Sequence, residues 1–594
     1  NTMYDLGFDI KPVKGLIISG QGVFKGYEYK SKSYTALQPN AINYFSGEEI
    51  AGTGVTKNKM SMDWQSTNTM LYTATARYDW SNDKHAVGAL VGTSYEHYKY
   101  ERLAGSREEF PSDALTDMEA GSTSGAGYTN GAGSSEYKML SYFARVNYTL
   151  MDRYLFEVNM RADASSRFHK DHRWGYFPSF SAGWRMSEES FMKDIEWINN
   201  LKIRASYGTL GNINNVGNYD YFQNYSSGNH YNFSDSPVIG IGESKPANET
   251  LGWEKVALTD IGLDFDIFNG LLGVTADYYI KNTSDILLGY NVPTETGITA
   301  APSQNIGKVK NTGFELALNH RNKIGAVNYS IGANIATNKN KITNLGGSDN
   351  IIQTSSYIVK YILKKGESIG SFYGFKTDGL YTQADIDAGH YYTLSGVVPN
   401  AGDIKFVPQR DIEYKQEITD EDRTILGKDV PDFTYGVNLS LQYKGFEFSM
   451  FGQGISGTKV AFDVYGVHPF YHGQDSPRKY HLKRWTEENP NPHAAYPRIY
   501  SASSVHTTYN RNFSDYHLFD SDYFRFKTLS LGYTVPSATV KNWGLQSLKV
   551  YVTGENLFTV RADKKMEDFD PETAGGVIYT LGTKSVAFGV NISF

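Results

Sequence analysis

The sequence contains three groups of residues whose types could do chemistry. His169, Asp171 and His172 bring metal-ligating atoms into one short stretch. Two histidines three positions apart on extended backbone point in different directions, so the group reads as a solvated polar rim and no metal is assigned. Glu417, Asp420, Glu421 and Asp422 offer carboxylates of the kind that hydrolyse glycosides in pairs. They fall in the longest polar stretch, with no regular element to hold them, and the expected arrangement is an exposed charged face. The third group is aromatic: Tyr465, Phe470, Tyr471, Trp485, Tyr496 and Tyr500, beside Arg478, Lys483 and Arg484. Flat rings stack on sugars and anchor protein interfaces. The same rings also serve interfacial girdles and loop packing. Among the functional roles, docking a covering protein ranks ahead of direct ligand contact.

Catalysis has no further support. The chain has no Gly-x-Ser-x-Gly elbow, Gly-x-x-x-x-Gly-Lys phosphate loop or His-Glu-x-x-His helix. Without Cys there is no disulfide, thiolate metal site or Cys nucleophile. No enzyme activity and no cofactor is expected. A net charge of -7, spread evenly, gives no basic footprint for nucleic acid.

What must position the loop aromatics is a β framework. Tyr (45), Phe (32) and Gly (58) are abundant and Pro is sparse at 18, a β-forming, turn-rich mixture. No apolar run approaches the roughly 18 residues of a transmembrane helix. A strand in a membrane barrel shows lipid only at every second residue, so low mean hydropathy is compatible with a membrane protein. Alternation of period two recurs along the chain. Val327, Tyr329, Ile331, Ala333 and Ile335 share one face, and Asn328, Ser330, Gly332 and Asn334 take the other. Ile261, Leu263, Phe265 and Ile267 oppose Asp260, Gly262, Asp264 and Asp266 in the same way.

The connections alternate too. Tight turns are expected at Asn82-Asp83-Lys84, Met151-Asp152, Asn269-Gly270, Lys323-Ile324-Gly325 and Lys444-Gly445. Between them lie long polar loops near 31–67, 103–136, 209–254, 340–431 and 457–522. Short turns at one end and long loops at the other characterise bacterial outer-membrane barrels. The reading is all-β: a transmembrane antiparallel β-barrel over 1–594, with about 17 strands from 1–11 to 584–594. Brief helical insertions are expected at Ser187–Asn199, with an apolar stripe of Phe191, Ile195 and Ile198, and at Ser537–Gly544. In the last strand Val586, Phe588, Val590, Ile592 and Phe594 share a face. An amphipathic strand ending on an aromatic residue looks like the signal read by the outer-membrane assembly machinery.

Several segments resemble the SusC/RagA family of TonB-linked outer-membrane proteins. They include Arg161 to Phe168 with Arg173 to Ser179, Leu201 to Gly208 ending in Gly211-Asn212, and Asn305 to Glu315. Tyr373-Gly374-Phe375, Gly402 to Phe406, Asp422-Arg423 and Pro431-Asp432-Phe433 follow in order. Thr553 to Phe558 and Phe569-Asp570-Pro571-Glu572 complete the set. One departure stands out. Where family members often carry a calcium-loop-like stretch, Val407 to Glu413 lacks the spaced carboxylates and the turn Gly, so no metal is expected there.

The resemblance implies a plugged barrel of about 22 strands. On that frame the strands read here are roughly the sixth to the last, and the chain is expected to be a processed or truncated product lacking the plug. The resemblance further implies a bacterial outer-membrane location, Bacteroidota-like, with outer-membrane lipid around the wall. It implies active import of oligosaccharides or peptides, energised by TonB through the missing plug. A SusD-like surface lipoprotein is the implied partner on the extracellular side. A passive large-pore porin is the alternative, and a secreted β-rich carbohydrate-binding protein or enzyme is a more distant one.

Overall fold

The computed structural model describes the chain except residues 124–126, 234–235, 290–302, 355–357, 462–467, 470–476 and 573–581. The main strands are β1 (Thr2–Ile10), β2 (Leu16–Thr35), β3 (Lys59–Ser81), β4 (His85–Glu108), β5 (Thr129–Leu150) and β6 (Tyr154–Ser165). There follow β7 (Trp174–Arg185), β8 (Ile198–Asn212), β9 (Asn224–Phe233), β10 (Ser236–Lys245), β11 (Glu254–Ile267) and β12 (Leu272–Gly289). Next are β13 (Ser303–Ile324), β14 (Val327–Thr337), β15 (Lys339–Leu345) and β16 (Phe433–Tyr443). The series ends with β17 (Phe446–Ser456), β18 (Tyr523–Thr534), β19 (Ser547–Arg561) and β20 (Ser585–Ser593). Among the described residues, eighteen of these strands belong to the large antiparallel sheet, β9 and β10 standing apart. β14 and β15 are one strand broken at Asn338, so the strands expected from alternation are all present.

Two compact units divide the chain: Asn1–Ala182 with Gly208–Val256 and Asp285–Asn305, and Gly183–Tyr207 with Ala257–Ser284 and Ile306–Phe594. In the first, β1 to β6 form an up-and-down meander in continuous register. Strand pairing fixes which side chains share a face. Phe8, Gly20, Ala74, Thr93 and Tyr142 stand in one row, and Leu6, Gly22, Tyr72, Tyr95 and Leu140 in the next. This apolar face is open: Leu6 is 78% exposed and Val91 58%. The other face is polar, with Gln21 hydrogen-bonded to Asp5 and Ser19 to Asp9. An exposed apolar face opposite a polar, hydrogen-bonded one is the reverse of a soluble sandwich, whose apolar faces seal against each other.

The second unit repeats the arrangement. β14, β16, β17, β18, β19 and β20 pair in order, all antiparallel. Phe588, Val590 and Ile592 of β20 are exposed on one face, and Phe594 follows them. On the polar face Arg204 meets three carboxylates: Asp260 at 3.2 Å, Asp264 at 3.2 Å and Asp277 at 2.6 Å. Gly262 makes this possible, because a Cβ there would come within 2.4 Å of the guanidinium carbon.

Turns form where the sequence places them. Both central residues of Met151-Asp152 and of Lys444-Gly445 have positive φ, the geometry whose twist matches the flanking strands. Asn82 closes its own turn by accepting hydrogen bonds from the amides of Lys84 and His85.

Three expectations need correction. The loops near 31–67 and 103–136 are shorter, because β2 to β5 continue as paired ladders to Thr35, Lys59, Glu108 and Thr129. Beyond the lipid, side-chain alternation fades, but backbone pairing requires only N–H and C=O groups. Ser187–Asn199 holds no α-helix: a 3-10 turn at Met186–Glu188 leads into successive i to i+3 turns, and Phe191 is 61% exposed. An α-helix does form at Ser537–Lys541. Finally, the stretches 209–254, 340–431 and 457–522 contain strands and buried clusters rather than irregular chain.

Candidate functional site

The long connections of the second unit fold into a core of their own. Phe375, Leu380, Ile404, Phe406, Ile418, Trp485 and Tyr509 are buried together. Trp485, expected to face a ligand or partner, is only 5% exposed, so neither face of its indole is free for stacking. Gly402 supports it. Its φ is +91°, and a Cβ there would meet the indole at 2.5 Å. The guanidinium of Arg498 sits 5.5 Å from the Trp485 ring and 5.3 Å from that of Tyr500.

Tyr500 stacks on His506 with centroids 5.0 Å apart, and Tyr496 lies within hydrogen-bond distance of His468 Nδ1 at 3.1 Å. Tyr496 also packs against the cluster of Val460, Tyr480, Phe519 and Phe569. Tyr465, Phe470 and Tyr471 lie outside the described residues. Of the described members of the aromatic group, Trp485 is buried in the loop core, whereas Tyr496 and Tyr500 are half-buried.

Two buried carboxylates organise this core. Asp403 has no solvent exposure and accepts hydrogen bonds from the Asn400 amide at 2.7 Å, Asn510 Nδ2 at 2.8 Å and His506 Nδ1 at 2.8 Å. The Asn400 side chain lies 3.0 Å from His506 Nε2. An amide N–H donating there requires His506 to carry its proton on Nδ1, facing Asp403.

Asp422 is equally buried. It accepts from the backbone amides of Gln409, Arg410 and Thr419, each at 3.0 Å, and from Arg410 Nη2 at 2.7 Å. Burial pushes this carboxyl up, but Arg410 and the backbone donors outweigh it and hold it down at about 2. The acidic group is thus not a uniformly exposed charged face. Asp422 is scaffolded from within, while Asp420 and Glu421 remain at the surface. The departure from the calcium-loop-like pattern has a structural counterpart: Arg410, inside that stretch, supplies the positive charge beside Asp422. His169 pairs with Asp171 at 3.3 Å, and among the described residues no group of three or more His, Cys, Asp or Glu could hold a metal.

A third knot ties the last long connection to the wall. Arg525 of β18, only 5% exposed, meets Asp570 at 2.6 Å and Glu572 at 2.8 Å. Lys527 and the Tyr523 hydroxyl also reach Glu572. Phe569 fills the neighbouring apolar cluster. The Phe569 to Glu572 motif is visible in the sequence, but Arg525 is not: its partners lie more than forty positions away.

The first unit contributes an isolated hairpin, β9 with β10. Tyr225, Tyr231, Phe233, Ile239 and Ile241 are each more than 60% exposed. Tyr231 pairs with Val238 on one face, whereas Ile239 and Ile241 alternate onto the other. In the same unit Phe168, Phe177, Val216, Leu251 and Trp253 are buried together.

In each unit, antiparallel strands with one apolar and one polar face, joined by tight turns and by long folded connections, have the pattern of a transmembrane β-barrel of the outer-membrane kind. The chain belongs to the family described as TonB dependent receptor-like, beta-barrel, which matches residues 1–557. Members of this family are outer-membrane transport proteins and not enzymes. The chain is 30% identical over 545 residues to TonB-dependent receptor P3 of Formosa agariphila, covering 90% of this chain and 52% of that protein. It is 29% identical over 467 residues to TonB-dependent receptor SusC of Bacteroides thetaiotaomicron, covering 77% and 43%. It spans about half the length of the curated relatives it matches. In fold it is similar to the structure of the RagAB peptide transporter, with a TM-score of 0.81, 24% identity and coverage of 100% and 61%. No helix among the described residues is long and apolar enough to cross a membrane.

Proposed function

We propose that this chain forms the wall and loop face of a TonB-dependent importer of oligosaccharides or peptides, working with a SusD-like surface lipoprotein. The β9–β10 hairpin carries the proposal. A two-stranded ribbon that is apolar on both faces gains little by standing in water, and exposed apolar patches of this kind mark protein contacts. Its occupant in this reading is the lipoprotein. Energy coupling follows from the barrel's size: a lumen enclosed by about 22 strands leaks unless plugged, and uphill uptake must draw on the inner membrane through TonB. The peptide class is the one named for the RagAB peptide transporter, and the oligosaccharide class follows the resemblance to the SusC/RagA family.

The C-terminal face of Phe588, Val590, Ile592 and Phe594 is proposed as the assembly signal. The experiment for the main reading replaces Tyr231 and Ile241 by Asp in the complete protein. Lipoprotein co-purification should drop about tenfold with the barrel's melting temperature unchanged; undiminished capture would reject the hairpin as the docking surface. Uptake that persists after the proton-motive force is collapsed would instead identify a passive porin.

A further inference from the structure

Toward the long connections, both faces of the β2–β5 meander change character. On the apolar face, the rows beyond Phe24 and Met70 become charged, with Lys30 paired to Glu28 at 3.4 Å and Lys99 to Glu101 at 2.8 Å. Hydrocarbon covers no charged row, so the lipid belt ends there. At the same level the opposite face, continuous with Ser19 and Gln21, carries tyrosines. Tyr27 and Tyr29 stand on β2, Tyr98 and Tyr100 on β4, and Tyr137 on β5. They lie past the belt and on the side away from it, so they are no interfacial girdle.

Register arranges these rings as a trough. Tyr27 pairs with Thr67 and Thr67 with Tyr100; Tyr29 pairs with Gln65 and Gln65 with Arg102. The aromatic rows of β2 and β4 are thus two strand spacings apart, about 9–10 Å, with Thr67 and Gln65 of β3 as the floor between them. Tyr27 is 47% exposed and Tyr29 44%. Across the floor Tyr98 stacks on Tyr137 with centroids 5.1 Å apart, and Arg167 covers the Tyr137 ring at 4.3 Å. One side of the trough is open and the other is braced.

The polar groups are held in place. Arg102 grips both carboxylate oxygens of Asp63, Nε at 3.1 Å and Nη2 at 2.7 Å, and Gln65 donates to the same carboxylate at 3.3 Å. Beyond Arg102, Gly133 and Gly131 of β5 leave open space, since a Cβ at either would meet nothing within 4 Å. Lys25, in the row of Thr69 and Tyr98, is exposed and has no ion pair among the described residues.

We infer that this trough binds a neutral oligosaccharide, with ring faces against Tyr27, Tyr29 and Tyr100 and hydroxyls toward Asp63, Gln65 and Arg102. The inference rests on the importer reading and narrows its two substrate classes to one. Flat phenol rings match the C–H faces of sugar rings. A carboxylate, an amide and a guanidinium side by side both accept and donate, as neighbouring hydroxyls require. A peptide finds less here. The floor offers no apolar pocket for its side chains, and the backbones of β3 and β4 are paired on both edges, so neither can take an added strand. Lys25 alone does not make the trough basic, so the ligand is uncharged.

The test presents the complete protein, in detergent and without lipoprotein, to arrayed neutral oligosaccharides, uronate-containing oligosaccharides and a hexapeptide library. The wild type should retain neutral oligosaccharides, and the tightest of them is then titrated by calorimetry. Tyr27→Ala and Tyr100→Ala should each weaken that titration at least tenfold. Tyr27→Phe and Tyr100→Phe should stay within about threefold of the wild type, because the ring and not the hydroxyl does the stacking. All four variants should melt with the wild type. Retention of peptides alone, of uronates alone or of nothing would overturn the inference, as would alanine variants that bind like the wild type. Uptake is scored separately: a barrel that binds the sugar without importing it would refute the importer reading and leave the trough standing.

Discussion

Arg410 Nη2 lies 2.7 Å from a carboxylate oxygen of Asp422, a side chain with no solvent exposure. Around that pair three backbone amides converge, drawing residues 409, 410 and 419 together. The contact turns a long polar connection into a folded element.

Replacing Arg410 by Gln should loosen the loop core, because Asp422 would stay buried without its guanidinium partner. Hydrogen exchange at residues 404–424 should quicken while β16 and β17 keep their protection. The pH dependence has a definite sign. Asp422 is held at about 2 against an ordinary 3.8, so its contribution is complete above about pH 4 and disappears as pH falls toward 2.

The buried imidazoles predict a second acid response at higher pH. His468 and His517 have ring centroids 5.3 Å apart. Burial lowers both, His517 to about 4, although backbone hydrogen bonds at Asn510 and Ser514 pull His517 the other way. The charged neighbours add to the lowering: Arg511 and His481 beside His468, and Lys565 beside His517. Because the folded values lie below the ordinary 6.5, this stability is complete above about pH 6.5 and is lost on the way to pH 4. For His517 it is on the order of 3 kcal/mol. Exchange protection of residues 505–520 measured between pH 7.5 and 4.5 should fall accordingly, and His517→Gln should flatten the profile.

Gly402 and Trp485 form a matched pair. Gly402→Ala meets both a positive φ and the indole, and should cost about 1–3 kcal/mol. Trp485→Ala should cost about 3–5 kcal/mol by emptying the core. Both variants should lower the thermal midpoint of the loop core, read by near-ultraviolet circular dichroism. A Trp485 variant of unchanged stability would mean that the ring is not buried.

Arg525→Met removes the cation that neutralises Asp570 and Glu572. Breaking so buried a pair costs about 3–5 kcal/mol. Limited proteolysis should then cut the link between β19 and β20 at least tenfold faster. Arg525→Lys should recover only part of the protection, since one ammonium cannot match the guanidinium's two-sided contact.

The wall was legible residue by residue. Val327 to Ile335 alternate because lipid wets one face and polar side chains the other, and this local pattern survives in the order of residues. Met151-Asp152 and Lys444-Gly445 mark turns for an equally local reason, the backbone angles a hairpin requires. Family membership was legible too, through motifs that keep their order from Arg161 to Glu572.

The loop face was not legible in this way. Trp485 looks like a binding aromatic in sequence and Asp422 like a surface acid, yet Trp485 is buried by residues far along the chain and Asp422 by a fold of its own connection around residues 409, 410 and 419. Trp485 packs with Phe375 and Ile404, and Arg525 finds Asp570 across more than forty residues. Alternation records what one strand presents to its solvent, which depends only on near neighbours. Burial of a loop residue depends on which distant segments fold over it, and only the tertiary structure decides that.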